Sequence, residues 1–467
     1  MTNNWWLSLL EVGACIQSRQ LSSVSVTEMM LERINKYDPS LNSFALVTSE
    51  LARAQAKQSD AEISLGNIRG PLHGVPIAVK DLCDTQGIIT AGGTTIYRER
   101  MPQKDATVVS RLRDAGAVLL GKTQMTEGAF TTHHPSITVP LNPWNRTHWS
   151  GVSSSGSGVA TAAGLCFGSI GSDTLGSIRF PSTVNGLTGL KPTWGRVSRA
   201  GVLDLAPSMD HIGPMARSAA DCAAMLAVIA GPDALDPSAS ERSVPDYVGE
   251  LEHGIKALKI GVDLELIAAF CEDSVVNVVN HAVDALKSMG CKVDEISMPP
   301  MMDVTRDALS LAVAEAAITH KDTFATQRDA YGPVLAGLIE SGQAVDTQML
   351  KAIRSRREQF ARQFATLFDR FDLILFPGMN AAAPTIEDLV NQQGDMDARL
   401  ARTLFTAPIN MSRSPSLTLP GGVTDAGMPI GFQLVAACFD ELSPLKAGNA
   451  YQRCTAWHLQ HPPGLEA

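Results

Sequence analysis

Apolar and β-branched residues fill positions 75–79, and Lys80 follows them directly, a pattern that predicts a buried strand with an amine at its end. Positions 108–115 follow the helical period and predict an amphipathic helix stopped by Gly116, after which 117–120 is again strand-like. The small residues of 159–164 and the apolar residues of 218–230 predict two further helices. Residues 232–250, rich in Pro, Asp and Ser, read as a polar surface connection. From about 273 to 370 the period is mainly helical, interrupted by a strand-like 291–296 and by Pro299 and Pro300. A buried strand is predicted over 371–377, with Gly378 and Met379 at its end facing the candidate site. Strand-like and helical runs alternate, which predicts an α/β layered architecture.

Two Ser/Gly stretches lie downstream of Lys80, at 150–158 and 171–181. Burial disfavours the charged form of an amine and lowers its pKa, which turns a lysine into a base usable near neutral pH. A serine hydroxyl is a poor nucleophile until a neighbour takes its proton. Ser177 sits on a tight Leu-Gly-Ser turn whose successive N–H groups could face an oxyanion, and Ser153 is the candidate relay between it and Lys80. Plainer readings exist for each piece. Residues 150–158 could be a flexible linker, but a helix-like run follows at once. Lys80 could snorkel at a strand end, and Asp173 with Arg179 could be a structural ion pair. Their occurrence together favours the catalytic reading.

Taken together, Lys80, the Ser150-Gly-Val-Ser-Ser-Ser-Gly-Ser-Gly158 segment and the Asp173-Thr-Leu-Gly-Ser-Ile-Arg179 segment resemble the amidase signature family. Ser177 follows Ser153 by 24 residues, in the family's order. Further similar stretches are 116–123 with Glu127, 189–192 with 195–197, 405–408 and 429–434. The resemblance implies a large mixed, twisted central sheet flanked by helices. It also implies amide hydrolysis without metal or cofactor: Lys80 as base, Ser153 as relay in a cis peptide, and Ser177 as the nucleophile that forms an acyl-enzyme. Backbone N–H groups of Thr174, Leu175, Gly176 and Ser177 would form the oxyanion hole, with Asp173 and Arg179 bracing the turn and Ser154 assisting the relay. Glu127, His133, Gly378 and Met379 are expected substrate-binding positions, His133 from its place between Lys80 and Ser153 and Gly378 and Met379 from theirs at the end of the 371–377 strand. Two residues depart from the family pattern. Val152 stands where glycine is usual, and Leu175 replaces a glycine inside the turn, where a positive φ would be costly for a residue with a Cβ.

Competing motifs carry less. Residues 116–123 match the Gly-x-x-x-x-Gly-Lys-Thr expression of a phosphate loop by letter, but the predicted order is helix, glycine, strand, and the four intervening residues are apolar. His211, or the pair His133 and His134, could serve a Ser-His-Asp arrangement, yet no Gly-x-Ser-x-Gly elbow accompanies them. No histidine or cysteine spacing matches a zinc site.

A chain of 467 residues with 45% hydrophobic content would ordinarily divide into two or three domains. The motifs nonetheless span 80–177 and return at 405–434, so one domain is expected over 1–467. Its parts are a helical segment over about 1–65, a signature core over 66–230, a variable, mainly helical section over 250–370 and a C-terminal return over 371–460. A net charge of −10 argues against nucleic acid or an anionic membrane as partner. The densest basic cluster, Arg354-Ser-Arg-Arg357, reads as a solvated helix face. No secretory signal or apolar run long enough to span a bilayer is visible, and eight scattered cysteines point to reduced thiols in a cytoplasm. The expected partner is a small-molecule amide, and the family commonly forms homodimers. Two other readings stay open: the glutaminase half of a tRNA-dependent amidotransferase (its A-type chain), against which Phe180 argues because such chains tend to carry a polar residue there, and a silent scaffold with the same fold.

Overall fold

The computed structural model describes residues 4–392 and 394–465. Its strands are β1 (Phe44–Val47), β2 (Pro76–Lys80), β3 (Val118–Thr123), β4 (Gly168–Asp173), β5 (Thr188–Lys191), β6 (His211–Ala216), β7 (Lys259–Val262), β8 (Lys292–Glu295), β9 (Leu373–Pro377), β10 (Ser416–Val423) and β11 (Pro429–Val435). They form one 11-stranded sheet in the order β1-β3-β2-β4-β6-β5-β10-β11-β9-β7-β8. The sheet is mixed. β2 lies parallel between β3 and β4, β9 and β7 and then β8 pair in parallel at the other end, and antiparallel pairs fill the middle.

Every residue of β2, β3, β4 and β9 is buried, as expected of interior strands covered on both faces. The helix Ser155–Ala162 consists of small residues, all of them buried. A Cβ at Gly156 would lie 2.2 Å from the Ser43 carbonyl oxygen and 2.5 Å from the Gln124 nitrogen, so only glycine lets this helix settle onto the neighbouring backbone.

The helix Thr107–Asp114, Gly116 at φ 79° and the strand β3 appear in the order the sequence predicts. Lys122 lies inside that strand, buried, with its Nζ 2.7 Å from the Cys83 carbonyl and 2.7 Å from Thr90 Oγ1. These residues therefore form a helix-to-strand passage and not a phosphate cradle.

Two strands were not expected: β1 within the segment 1–65 read as helical, and β7 within the mainly helical 250–370, which also holds β8 where a strand-like 291–296 was read. The cluster at 354–357 also differs from its reading as a solvated face. Arg354 and Arg356 are exposed, but Arg357 is buried and donates to the carbonyls of Met411 (3.1 Å), Ser208 (2.9 Å) and Asn410 (3.4 Å). No helix of the described residues is long and apolar enough to cross a membrane.

Candidate active site

β2 carries Lys80 into the interior, where its side chain is fully buried. Its Nζ lies 2.7 Å from Ser153 Oγ, 2.9 Å from Ser154 Oγ and 2.8 Å from Ser172 Oγ. The serine segment reaches it through Gly151, at φ 83°, and a cis peptide bond between Val152 and Ser153. Burial pulls the Lys80 amine down to about 7, against the opposing pull of Cys83, Asp173 and Asp210. Three hydroxyls match the three N–H groups of an ammonium. A neutral amine offers two N–H groups and a lone pair, so one hydroxyl must then donate to it. Ser154 Oγ already donates to the Ser172 carbonyl at 3.2 Å, whereas Ser153 Oγ has Lys80 as its only partner among the described residues. The Ser154 N–H donates to the Ser177 carbonyl at 3.4 Å and ties the two serine segments together.

Ser177 follows β4 on a turn organised by one carboxylate. Asp173 accepts from the backbone N–H of Gly176 (2.9 Å) and Ile178 (3.1 Å), from Arg179 Nε (3.0 Å) and Nη2 (2.9 Å), and from Asn410 Nδ2 (2.9 Å). Burial alone would raise this carboxyl, but the charge and hydrogen bonds of Arg179 hold it well below the usual carboxylate range. The pair is wholly buried, and because it ties up the turn's own N–H groups it shapes the turn as well as neutralising charge.

The turn departs from expectation at two residues. Leu175 avoids the left-handed region; that conformation falls one residue later, on Gly176 at φ 131°, where a Cβ would lie 2.6 Å from the Phe180 ring. The Gly176 N–H, an expected oxyanion donor, is committed to Asp173. The N–H groups of Thr174, Leu175 and Ser177 have no acceptor among the described residues. Ser177 retains 9% exposure, so a ligand can reach the serine while the lysine stays shielded.

The four expected substrate-binding residues are scattered around this centre. Glu127 is buried and accepts from the Gly332 N–H at 2.9 Å, where burial raises its carboxyl. His133 Nε2 lies 2.9 Å from Ser155 Oγ, and burial together with the charge of Lys80 pulls its imidazole down to about 4. Gly378 continues the sheet through its N–H to the Gly431 carbonyl, and Met379 packs in an apolar cluster with Phe180, Val184, Ala383 and Met428. The histidine alternative gains no geometry. His211 Nδ1 sits 3.0 Å from the Asp173 carbonyl, His134 Nδ1 pairs with Ser136, and no histidine is hydrogen-bonded to Ser177 among the described residues.

Sequence reasoning passed over Ser172, Thr406, Asn410 and Gln433. Thr406 Oγ1 donates to the Leu175 carbonyl at 2.6 Å, Asn410 Oδ1 accepts from Arg179 Nη2 at 2.5 Å, and Gln433 Nε2 donates to the carbonyls of Pro377 (2.9 Å) and Phe405 (2.7 Å). Thr406 and Gln433 lie inside the two C-terminal family-like stretches, which was the available signal. Asn410 lies just past the first of them.

The family model described as Amidase matches residues 25–444. This chain belongs to the amidase family. The amidase-family relative AmiD of Mycobacterium tuberculosis is 46% identical over 459 residues, covering 98% of this chain and 96% of AmiD. The A-type chain of the glutamyl-tRNA(Gln) amidotransferase of Roseiflexus sp. is 36% identical over 482 residues, covering 98% of each chain. Among solved structures, 6-aminohexanoate cyclic dimer hydrolase complexed with substrate superposes with a TM-score of 0.90 at 26% identity, covering 99% of this chain and 100% of that one. The chain therefore shares its fold along nearly its whole length with that hydrolase.

Proposed function

We propose that this amidase hydrolyses a linear amide C–N bond of a small molecule through an acyl-enzyme on Ser177. The observation that carries the reading is the 2.7 Å contact between the buried Lys80 amine, pulled down to about 7, and Ser153 Oγ, on a segment tied directly to Ser177. Neutral Lys80 accepts the Ser153 proton as Ser153 accepts that of Ser177, and the Ser177 oxygen bonds to the amide carbonyl carbon. The N–H groups of Thr174, Leu175 and Ser177 stabilise the oxyanion. The C–N bond then breaks as the relay returns a proton to the leaving nitrogen. Water, deprotonated through the same pair, releases the acid and restores Ser177.

A small fluorophosphonate tests this on the purified chain, read by intact mass beside release of ammonia or amine from simple amides. One adduct that disappears in Ser177→Ala, with amide turnover by the wild type alone, supports the reading. No labelling at any pH, with no turnover of any amide, glutamine included, would move the chain to the scaffold reading. Turnover of glutamine only with an added partner protein would move it to the amidotransferase reading.

A further inference from the structure

Arg399 and Arg402 lie one turn apart on the helix Met396–Thr403, which runs towards the Ser177 turn: three residues beyond it, Thr406 Oγ1 holds the Leu175 carbonyl. The two guanidinium groups lie over two different aromatic rings near that turn. Arg402 lies 5.6 Å over the Trp149 ring; Trp149 stands 6.0 Å from Phe180, whose ring packs against Gly176 of the turn. Arg399 lies 5.6 Å over the Phe130 ring. Phe130 belongs to the loop in which the Thr126 N–H donates to the Ser153 carbonyl and His133 meets Ser155.

Both arginines are half-buried, and neither makes an ion pair with a described residue. Arg402 donates to the amide oxygen of Gln392 at 2.9 Å; Asp397, the nearest acid in sequence, is exposed and forms no ion pair with either arginine, and Asp395 is engaged in capping the helix's own N–H groups. In a chain with 48 acidic residues against 38 basic ones, two neighbouring guanidinium groups without a carboxylate partner among the described residues are suited to pair with an incoming anion. Burial lowers the pKa of both guanidinium groups, and for Arg399 the neighbouring charge of Arg402 adds to it, so an incoming anion relieves a cost the free protein bears.

We propose that Arg399 and Arg402 receive a carboxylate of the substrate, making the preferred substrates amides that bear a carboxylate, such as half-amides of short dicarboxylic acids. The proposal rests on the amidase reading for the position of the scissile bond. Arg399 and Arg402 act as specificity residues and take no part in bond breaking.

The test is calorimetric binding to Ser177→Ala of the half-amides of the four- to six-carbon dicarboxylic acids, each beside the neutral primary amide of equal length. At least one half-amide should bind about 10-fold or more tightly than its neutral counterpart. Arg402→Gln and Arg399→Gln should each reduce that preference while leaving neutral-amide binding, which reports a folded site, unchanged; Arg402→Lys should restore part of it. Equal binding throughout the series, or a preference that survives both glutamine variants, overturns the proposal. Its failure is separable from that of the amidase reading: a wild-type chain that prefers half-amides yet releases no ammonia sinks only the latter, and turnover of amides without the preference sinks only the former.

Discussion

An amine with a pKa near 7 is half protonated at neutral pH, and in the proposed mechanism only the neutral fraction of Lys80 accepts a proton. Labelling of Ser177 should therefore fall about tenfold for each pH unit below roughly 6 and level off above roughly 8, as for any single base that must be deprotonated. Rates measured from pH 5 to 9 check this; a flat profile would exclude Lys80 as the base. Lys80→Ala should cost on the order of 10² to 10⁴ in rate at pH 8. At this scale the sequence was informative. A lysine ending an apolar strand and a serine in a Ser/Gly segment are local signals, and Lys80 and Ser153, the residues they mark, lie 2.7 Å apart. Ser172 was not legible, because a serine at a strand position looks like any other until the sheet places it 2.8 Å from that amine.

At the scale of the element, the turn 173–179 is held from inside by Asp173 and from outside by Thr406 and Asn410. Gly176→Ala meets both a forbidden φ and the Phe180 ring, so it should abolish labelling and lower stability by about 1–3 kcal/mol, measured by urea unfolding. Leu175→Ala should keep labelling within a few fold, because the residue contributes a backbone N–H and no left-handed conformation. Asn410→Ala removes an acceptor from Arg179 and a donor to Asp173, both buried, and should cost about 1–3 kcal/mol together with slower labelling. Long apolar runs such as β2 and β9 were legible as strands. β1 was not: its four residues run half-buried, exposed, exposed, half-buried, with no alternation for a period-two reading to find. Asn410 escaped because its role depends on chain neighbours more than 200 residues away.

Across the molecule, buried titratable groups set how stability varies with pH. Lys80 and Lys191 are both pulled down to about 7 by burial, so between there and their ordinary value the unfolded chain holds more protons and stability rises with pH. His133 and His320, pulled down to about 4, add the same sign between about 4 and 6.5. Buried thiols act in the other direction: Cys83 and Cys271 are pushed up to about 12, Cys166 and Cys291 to about 11, so above about pH 9 the unfolded chain loses protons first and stability falls. Tm should climb from pH 5 to between 8 and 9 and then turn down; a scanning calorimetry series with a maximum below pH 6 would contradict this. The variable section 250–370 enters the same account through Arg357, a position read from sequence as surface. Its guanidinium reaches the Asn410 carbonyl, and the Asn410 side chain in turn clasps Asp173 and Arg179. The variable section is thus bolted to the stretch that shapes the nucleophile's turn. Exchanging 250–370 between relatives as an independent cassette would unscrew that bolt unless the donor's 406–413 segment travelled with it, which makes the two segments a single unit of inheritance for anyone recombining these enzymes.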